Sequence, residues 1–550
     1  MTNNEIFNDE EKEEIKICDD DENKIVILYH EIDHKQLNEY IKKTKETPEK
    51  KVKYISKAEK RYYQPGIVAK INERTTDNDL CKLIKHGTRT LFLQLAFASP
   101  AELEQIMLKI NTARENFAME HKYNTPIGLA VEIKGEAVRI GRLRNNAKQY
   151  IEKGQLIVLT TNEDYKFVSV KEIIYVYNLW KYMGYLKKGD IILMDDGKIR
   201  LKIVKIIHKN ITLCIEKGSF LNSYMDVILP YCIPATFDPS NDYCEDINFA
   251  IKNNAHFLVL SCIKSFCWLK GFKKYVESFA SVKFEIAGHI PELLLMNNSC
   301  EIMEIMGLCD VIWIPNYFER SLTKKIFTTS TKIQKLIRVA KNLRKPVVAA
   351  IPIETRKDFN VLLDHEDLKY IDSMLIEKSQ ITNTYPIVAK QLQPVPKDYC
   401  SGESKPIISS SFKVIPQQGL INCVNYTIHS IPCQGIVVSS TLNDKTIIYL
   451  SAPDIYCPVI AVVPNEFLAT SLNVRRNIKT VVYDFKEEKE DEESCRIKHG
   501  IDYGRDMKLF LKGDFCLTFF DTIYRGCLAA KFRTIYMPHE NIIVGQNRLQ

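Results

Sequence analysis

TLFLQLAFASPAELEQIMLKINTARENFAMEHKYNTPIGLAVEI, residues 90–133, holds the unit from which the fold is read. A strand-length apolar run, TLFLQLA (90–96), reaches a turn at Ser99 and Pro100. It gives way to AELEQIMLKINTARENFAMEHK (101–122), with apolar residues at i, i+3, i+4 and i+7, and then to a second run, PIGLAVEI (126–133). A strand-length apolar run, a stretch of period 3.6 and a second strand-length apolar run are a strand, a helix and a strand. The same runs recur at 67–71, 256–263, 282–287, 310–315, 346–352 and 373–377, with helix-like stretches such as TKIQKLIRVAKNLRK (331–345) between nearly all of them. Eight strands alternating with helices predict an α/β chain built on a closed parallel (β/α)8 TIM barrel.

After the third strand the rhythm changes. Short alternating strands with turns at KKGD (187–190), DDGK (195–198) and EKGS (216–219) predict a small β-barrel domain inserted over 142–234, dividing the main barrel into 63–141 and 235–400. A C-terminal α/β domain is expected over 401–550, with strands near 435–440, 458–463, 479–485 and 514–520 and a surface loop at KEEKEDEES (486–494). Residues 1–62 read as a charged N-terminal arm.

The 550 residues are 45% hydrophobic and 26% charged, the balance of a folded globular protein rather than a disordered one. No apolar run approaches the 18 or so residues that a membrane helix needs, and the acidic start MTNNEIFNDEEKEE lacks the basic and apolar regions of a leader; no membrane partner and a cytoplasmic location are expected. Sixteen cysteines without a CxxC read as reduced thiols, and the sequons at Asn210, Asn297 and Asn425 then stay unmodified. A net charge of +7, with Lys and Glu mixed along the chain, does not imply nucleic acid.

Barrel chemistry sits at the C-terminal ends of strands. Those positions carry Gln94, Ala96 and Phe97; Glu132, Lys134 and Arg139; Ala287 and His289; Asn316, Tyr317 and Phe318; Ile351 and Glu354. Phosphoryl transfer needs cations for the phosphates and carboxylates for a divalent metal. Lys134 and Arg139 are the cations here and Glu132 and Glu354 the anions, and the same four would serve equally as rim salt bridges.

Several segments carry a resemblance. LAVEIKGEAVRIG (129–141) resembles A-L-D-T-K-G-P-E-I-R-T-G of the pyruvate kinase family, and GDIILMDDGKIRLKI (189–203) resembles its inserted-domain G-x-x-I-x-x-D-D-G-x-I. LRKPVVAA (343–350), DSMLIEKSQITNTYP (372–386) and CPVIAVVPN (457–465) are similar to its A-G-K-P-V-x-x-A, D-x-x-M-L-S-G-E-T-A-x-G-x-Y-P and P-I-I-A-V-T-x-N. The matches run in order over 66–537. The resemblance implies the reaction of phosphoenolpyruvate with ADP to give pyruvate and ATP, magnesium and potassium as cofactors, and homo- or hetero-oligomers with related subunits.

Residue by residue, most of that machinery is replaced. Where the family's A-R-M-N-F-S-H-G has its phosphate-gripping Arg, this chain has Phe92; Gln94 and Ala96 stand for the Asn and Ser near potassium, and Glu132 and Ile133 for the next potassium ligands. Lys134, Gly135 and Arg139 are kept as candidate substrate or nucleotide contacts. Opposite I-S-K-I-E-N, Ala287 takes the place of the phosphoryl-stabilising Lys and His289 that of the magnesium-binding Glu. Phe318 stands at the second magnesium position and Ile351 at that of the Thr that assists proton transfer. In the effector loop, Ser440 and Thr441 keep hydroxyls while Asp444 adds a negative charge. The expectation is a retained scaffold around an apolar, cation-poor cleft, without pyruvate kinase turnover, acting as a binding or regulatory subunit. One alternative is a slow pyruvate kinase using Arg139 and Lys134 with a shifted magnesium site.

Another alternative is a zinc hydrolase through His30, Glu31 and His34, which match HExxH. The basic stretch 42–61 reads as a solvated arm, Cys262, Cys267 and His256 as barrel-wall residues, and His289 as a rim histidine able to ligate or titrate. No Walker loop and no GxGxxG occurs, so neither NAD nor haem is expected.

Overall fold

The computed structural model describes residues 65–135, 138–230, 241–261, 263–279, 283–290, 299–314, 331–350, 370–376, 433–440, 445–451, 457–484, 492–507, 515–524 and 527–536. It adds the short strands Ile25–Tyr29, Glu319–Arg320 and Phe327–Thr328 and a few single positions. The chain divides into two compact units, one of residues 67–117 and 127–387, the other of 1–66, 118–126 and 388–550.

In the first unit eight parallel strands close a barrel: Gly66–Ile71, Thr90–Gln94, Gly128–Glu132, Phe257–Leu260, Glu285–His289, Val311–Ile314, Val347–Ala350 and Ser373–Ile376. Each falls within or overlaps an apolar run read from the sequence. Most are buried on both faces, as strands enclosed by helices must be. Local chemistry sets the helix starts. Thr76 and Asp79 form a capping box before Asp77–Lys85, and Ser265 caps Phe266–Glu277 by accepting from the Trp268 N–H at 3.1 Å.

The insert is a seven-stranded sheet ordered Val227–Ile228, Ile191–Met194, Ile199–Ile207, Asn210–Lys217, Leu156–Thr160, Ile173–Tyr177, Arg139–Ile140. Its two ends meet. Arg139 bridges Asp226, the Ile140 N–H donates to the Met225 carbonyl at 3.0 Å and the Val227 N–H to the Val138 carbonyl at 2.8 Å, which completes the small barrel. Ile199–Ile207 alternates buried and exposed positions over its first six residues, and Leu159, Ile192, Leu201 and Leu213 form a dry centre. At the DDGK turn Gly197 adopts φ +88°, a left-handed conformation that a side chain would strain.

The second unit carries a six-stranded sheet ordered Ile25–Tyr29, Cys527–Tyr536, Phe515–Tyr524, Cys433–Ser440, Val459–Val463, Ile478–Val482. Three differences from the sequence reading stand out. Ile25–Tyr29, read as part of the charged arm, is the edge strand of this sheet, parallel to Cys527–Tyr536. Residues 118–126, the end of a barrel helix and the turn after it, group with this unit: Tyr123 donates to Asp506 at 2.7 Å and packs edge-on to Tyr503 and His499. The helix Glu492–Asp506 starts within the stretch read as the loop 486–494. Among the described residues no helix is long and apolar enough to cross a membrane.

Candidate functional site

Gln94 and Glu132 end neighbouring barrel strands and face each other in register, so their side chains meet at the C-terminal mouth. Gln94 Nε2 donates to Glu132 Oε2 at 2.5 Å. Seven residues later the chain has crossed to the first insert strand, and Arg139 turns back. Its Nη2 donates to Glu132 Oε1 at 2.5 Å and to Ser261 Oγ at 2.7 Å. Its Nε lies 2.8 Å from Asp226 Oδ1, a charge contact rather than an aligned hydrogen bond. Arg139 and Glu132 are only 6% and 5% exposed. Burial alone would raise the Glu132 pKa, but the Arg139 charge and hydrogen bonds from Gln94, Arg139 and Ser261 outweigh it and hold the carboxyl below its ordinary range. Arg139 is thus the knot between barrel and insert, neutralised from both sides.

Beside it opens a cavity of about 270 Å³. The barrel contributes Phe92, Gln94, Glu132, His289 and Trp313 to its wall, and the insert contributes Asp195, Tyr224 and Asp226. Phe92 and Trp313 pack at 4.9 Å between ring centroids. Lys70, at the end of the first strand, is also in the wall; it sits in register with Phe92. The expectation of an apolar cleft is therefore corrected. Among the described residues the wall is mixed, with two cations, Lys70 and Arg139, against three carboxylates, Glu132, Asp195 and Asp226. Strand-end reasoning applied to IVAKI would have found Lys70, because Val68 and Lys70 share one face. In the sequence Asp195 stands out only as part of the DDGK turn and Asp226 carries no signal, since their place at the cavity depends on how the insert closes.

The other candidates are placed as follows. Ala287 is fully buried and sits two residues below His289 on the same strand face, outside the cavity wall. Ala96 lies in the short turn Leu95–Phe97, and Ile133 is buried. His256 is mostly buried, which pushes its pKa down to about 4, with Arg114 adding to the shift; Cys267 is an exposed thiol. Asn316, Tyr317, Phe318, Ile351 and Glu354 lie outside the described residues, as do Cys262, Thr441, Asp444, the HEIDH motif at 30–34 and the basic stretch 42–61. Ser440 ends its strand, but its side chain is not described. Among the described residues no group of three His, Cys, Asp or Glu side chains is placed to hold a metal ion.

Lys134 is not in the cavity wall. Asp246, its side chain 1% exposed, accepts the Lys134 N–H at 2.6 Å and the Gly135 N–H at 3.3 Å, and Lys134 Nζ stands 3.4 Å away. Gly135 has φ +47°, and a Cβ there would lie 2.6 Å from Tyr243 Cε1, so this turn requires glycine. Burial pushes the Asp246 carboxyl up in spite of Lys134 and the two N–H groups. The neutral isostere should therefore serve nearly as well. Asp246→Asn is expected to change folding stability by less than about 1 kcal/mol, while Asp246→Ala, which orphans both N–H groups, should cost about 1–3 kcal/mol in urea unfolding.

The chain matches the family model "Pyruvate kinase, barrel domain" over residues 63–355. It is similar to the pyruvate kinase of Thermotoga maritima, 22% identical over 471 residues, which cover 82% of this chain and 94% of that protein. It is also similar to the pyruvate kinase of Buchnera aphidicola subsp. Acyrthosiphon pisum, at 22% over 436 residues, 76% and 88% of the two chains. Pyruvate kinase 1 of Trypanosoma brucei brucei is 20% identical over 415 residues, 70% and 80% of the two chains.

Proposed function

Because the chain belongs to the pyruvate kinase family, we propose that it keeps that family's scaffold without its phosphoryl-transfer turnover and works as a binding or regulatory subunit. The observation that carries this reading is the state of Arg139. Among the described residues it is the one motif cation in the cavity wall, and Glu132 and Asp226 already neutralise it. Turning it toward a phosphate would leave Glu132 as a buried, uncompensated charge, a cost of about 3–5 kcal/mol. At the position of the phosphoryl-stabilising lysine stands Ala287; one lost preorganised contact of this kind typically slows a reaction by about 100- to 1,000-fold.

The family works with magnesium and potassium, and the residues present here suit neither well. His289 offers an imidazole where magnesium prefers carboxylate oxygen. At the potassium position both Glu132 oxygens already accept N–H groups, and the Arg139 guanidinium supplies the positive charge. No chemical step is assigned to either ion.

The test is purified chain with phosphoenolpyruvate, ADP, Mg²⁺ and K⁺, following pyruvate. Formation below about 1 s⁻¹, the lower end of ordinary turnover, is expected; a faster rate overturns the reading. Lys70 favours one other reading, a slow enzyme whose ammonium group comes from the first strand instead of the fifth. In that case a measurable rate would vanish in Lys70→Met.

A further inference from the structure

The cavity that no longer suits phosphate has a chemistry of its own, and we propose that it takes a small organic ammonium ion with an apolar, preferably aromatic, body. This rests on the reading that the cleft has left phosphoryl transfer. Three independent features of the wall point the same way.

The first is charge. Among the described wall residues three carboxylates stand against two cations, and the two carboxylates with accessible side chains come from the insert: Asp226, 52% exposed and paired with Arg139, and Asp195, 31% exposed and paired with Lys198 at 3.1 Å, whereas Glu132 and Arg139 are sealed. A carboxylate in one ion pair keeps lone pairs for a second donor, so an arriving ammonium ion can share these groups, whereas an arriving anion must compete with them for their cations. The second is hydrogen-bond demand. Among the described residues no hydrogen-bond donor reaches Gln94 Oε1, a buried acceptor. A buried acceptor left this way is costly, and a ligand bearing N–H or O–H relieves it. A fully ionised phosphate ester or carboxylate has no proton to give, whereas a primary ammonium group has three. The third is the aromatic wall. Phe92, Trp313 and Tyr224 border the same space, and ring faces attract cations while apolar bodies bury against them. At about 270 Å³ the cavity lies just below the range of about 300–1,000 Å³ for drug-sized pockets, so the ligand is of metabolite size.

Isothermal titration of the full chain near neutral pH tests this with three probes: 2-phenylethylammonium, the matched anion 3-phenylpropionate, and the neutral 2-phenylethanol. The amine is expected to bind at least tenfold more tightly than the anion. Asp226→Asn should weaken the amine at least fivefold while leaving the alcohol unchanged. Asp195→Asn, which leaves the Arg139 ion pairs in place, should do the same and serves if Asp226→Asn unfolds. Equal binding of amine and anion, or no heat from the amine at millimolar concentration, overturns the proposal. So does saturation of the site by potassium chloride alone, which would make Gln94 Oε1 an inorganic-cation ligand. Pyruvate formation in the turnover assay would instead strike the reading beneath it, so the two failures are told apart.

Discussion

Arg139→Leu is expected to lower folding stability by about 3–5 kcal/mol, the largest effect of any single charge change in the barrel mouth. The substitution removes three contacts at once: Glu132 at 2.5 Å, Ser261 at 2.7 Å and Asp226 at 2.8 Å. The loss of attraction is the smaller part. Glu132 stays behind, 5% exposed, with Gln94 and Ser261 as its remaining donors. Guanidinium unfolding at pH 7.5 measures the deficit, and Arg139→Leu combined with Glu132→Leu should recover much of it, because an apolar pair of similar volume carries no desolvation cost. The pH dependence separates this account from simple loss of packing. In the parent chain the Glu132 pKa is depressed, so its contribution is present above the unfolded carboxylate pKa and is lost as pH falls through the lower folded value. In the variant, burial dominates and the folded pKa rises above the unfolded one. The protonated form then favours the native state, and acidification narrows the gap between the two proteins. A deficit that stays constant from pH 7.5 to pH 5 would show that Glu132 is not its source.

The barrel was legible because its signal is local and repeated. Each strand is a β-branched apolar run buried on both faces, and each of the eight runs read from the sequence became a barrel strand. The insert was legible from its turns. The site was legible only along barrel strands, where Gln94, Glu132 and His289 fall at C-terminal ends as expected. The partnership of Arg139 with Asp226 joins residues 87 positions apart through the closure of the small barrel, and no spacing rule encodes it. Lys134 lies away from the cavity wall for a related reason. Read as a substrate contact, it is held instead by Asp246 on the helix Asn241–Lys252, which begins only after the whole insert has been traversed. Ile25–Tyr29 shows the limit of composition: acidic and basic neighbours hid a five-residue apolar strand whose backbone partner lies some 500 residues away.

Phe272→Ala is expected to cost about 3–5 kcal/mol, as large-to-small changes at buried aromatic sites do. Phe272 is fully buried on the inner face of Phe266–Glu277, stacked on Trp268 at 5.7 Å with rings 3° from parallel, and edge-on to Phe237 at 5.5 Å. Tyr243 packs against the same ring at 5.8 Å. The neighbours are rigid rings, so the cavity left behind collapses poorly, and Phe272→Leu, which refills most of the volume, should cost roughly half as much or less. The consequence reaches the site through Tyr243, whose ring occupies the space beside Gly135 and sets the turn from which the chain proceeds to Arg139. Denaturant unfolding gives the stability change, and tryptophan emission reports where it acts. Trp268 loses its stacking partner and gains access to water, so the emission of the folded variant should shift to the red, while Trp313, held by Phe92 in the cavity wall, keeps its environment. A full stability loss with unchanged folded-state emission would mean that the helix had moved in to fill the void, and the turn at Gly135 would then have moved with it.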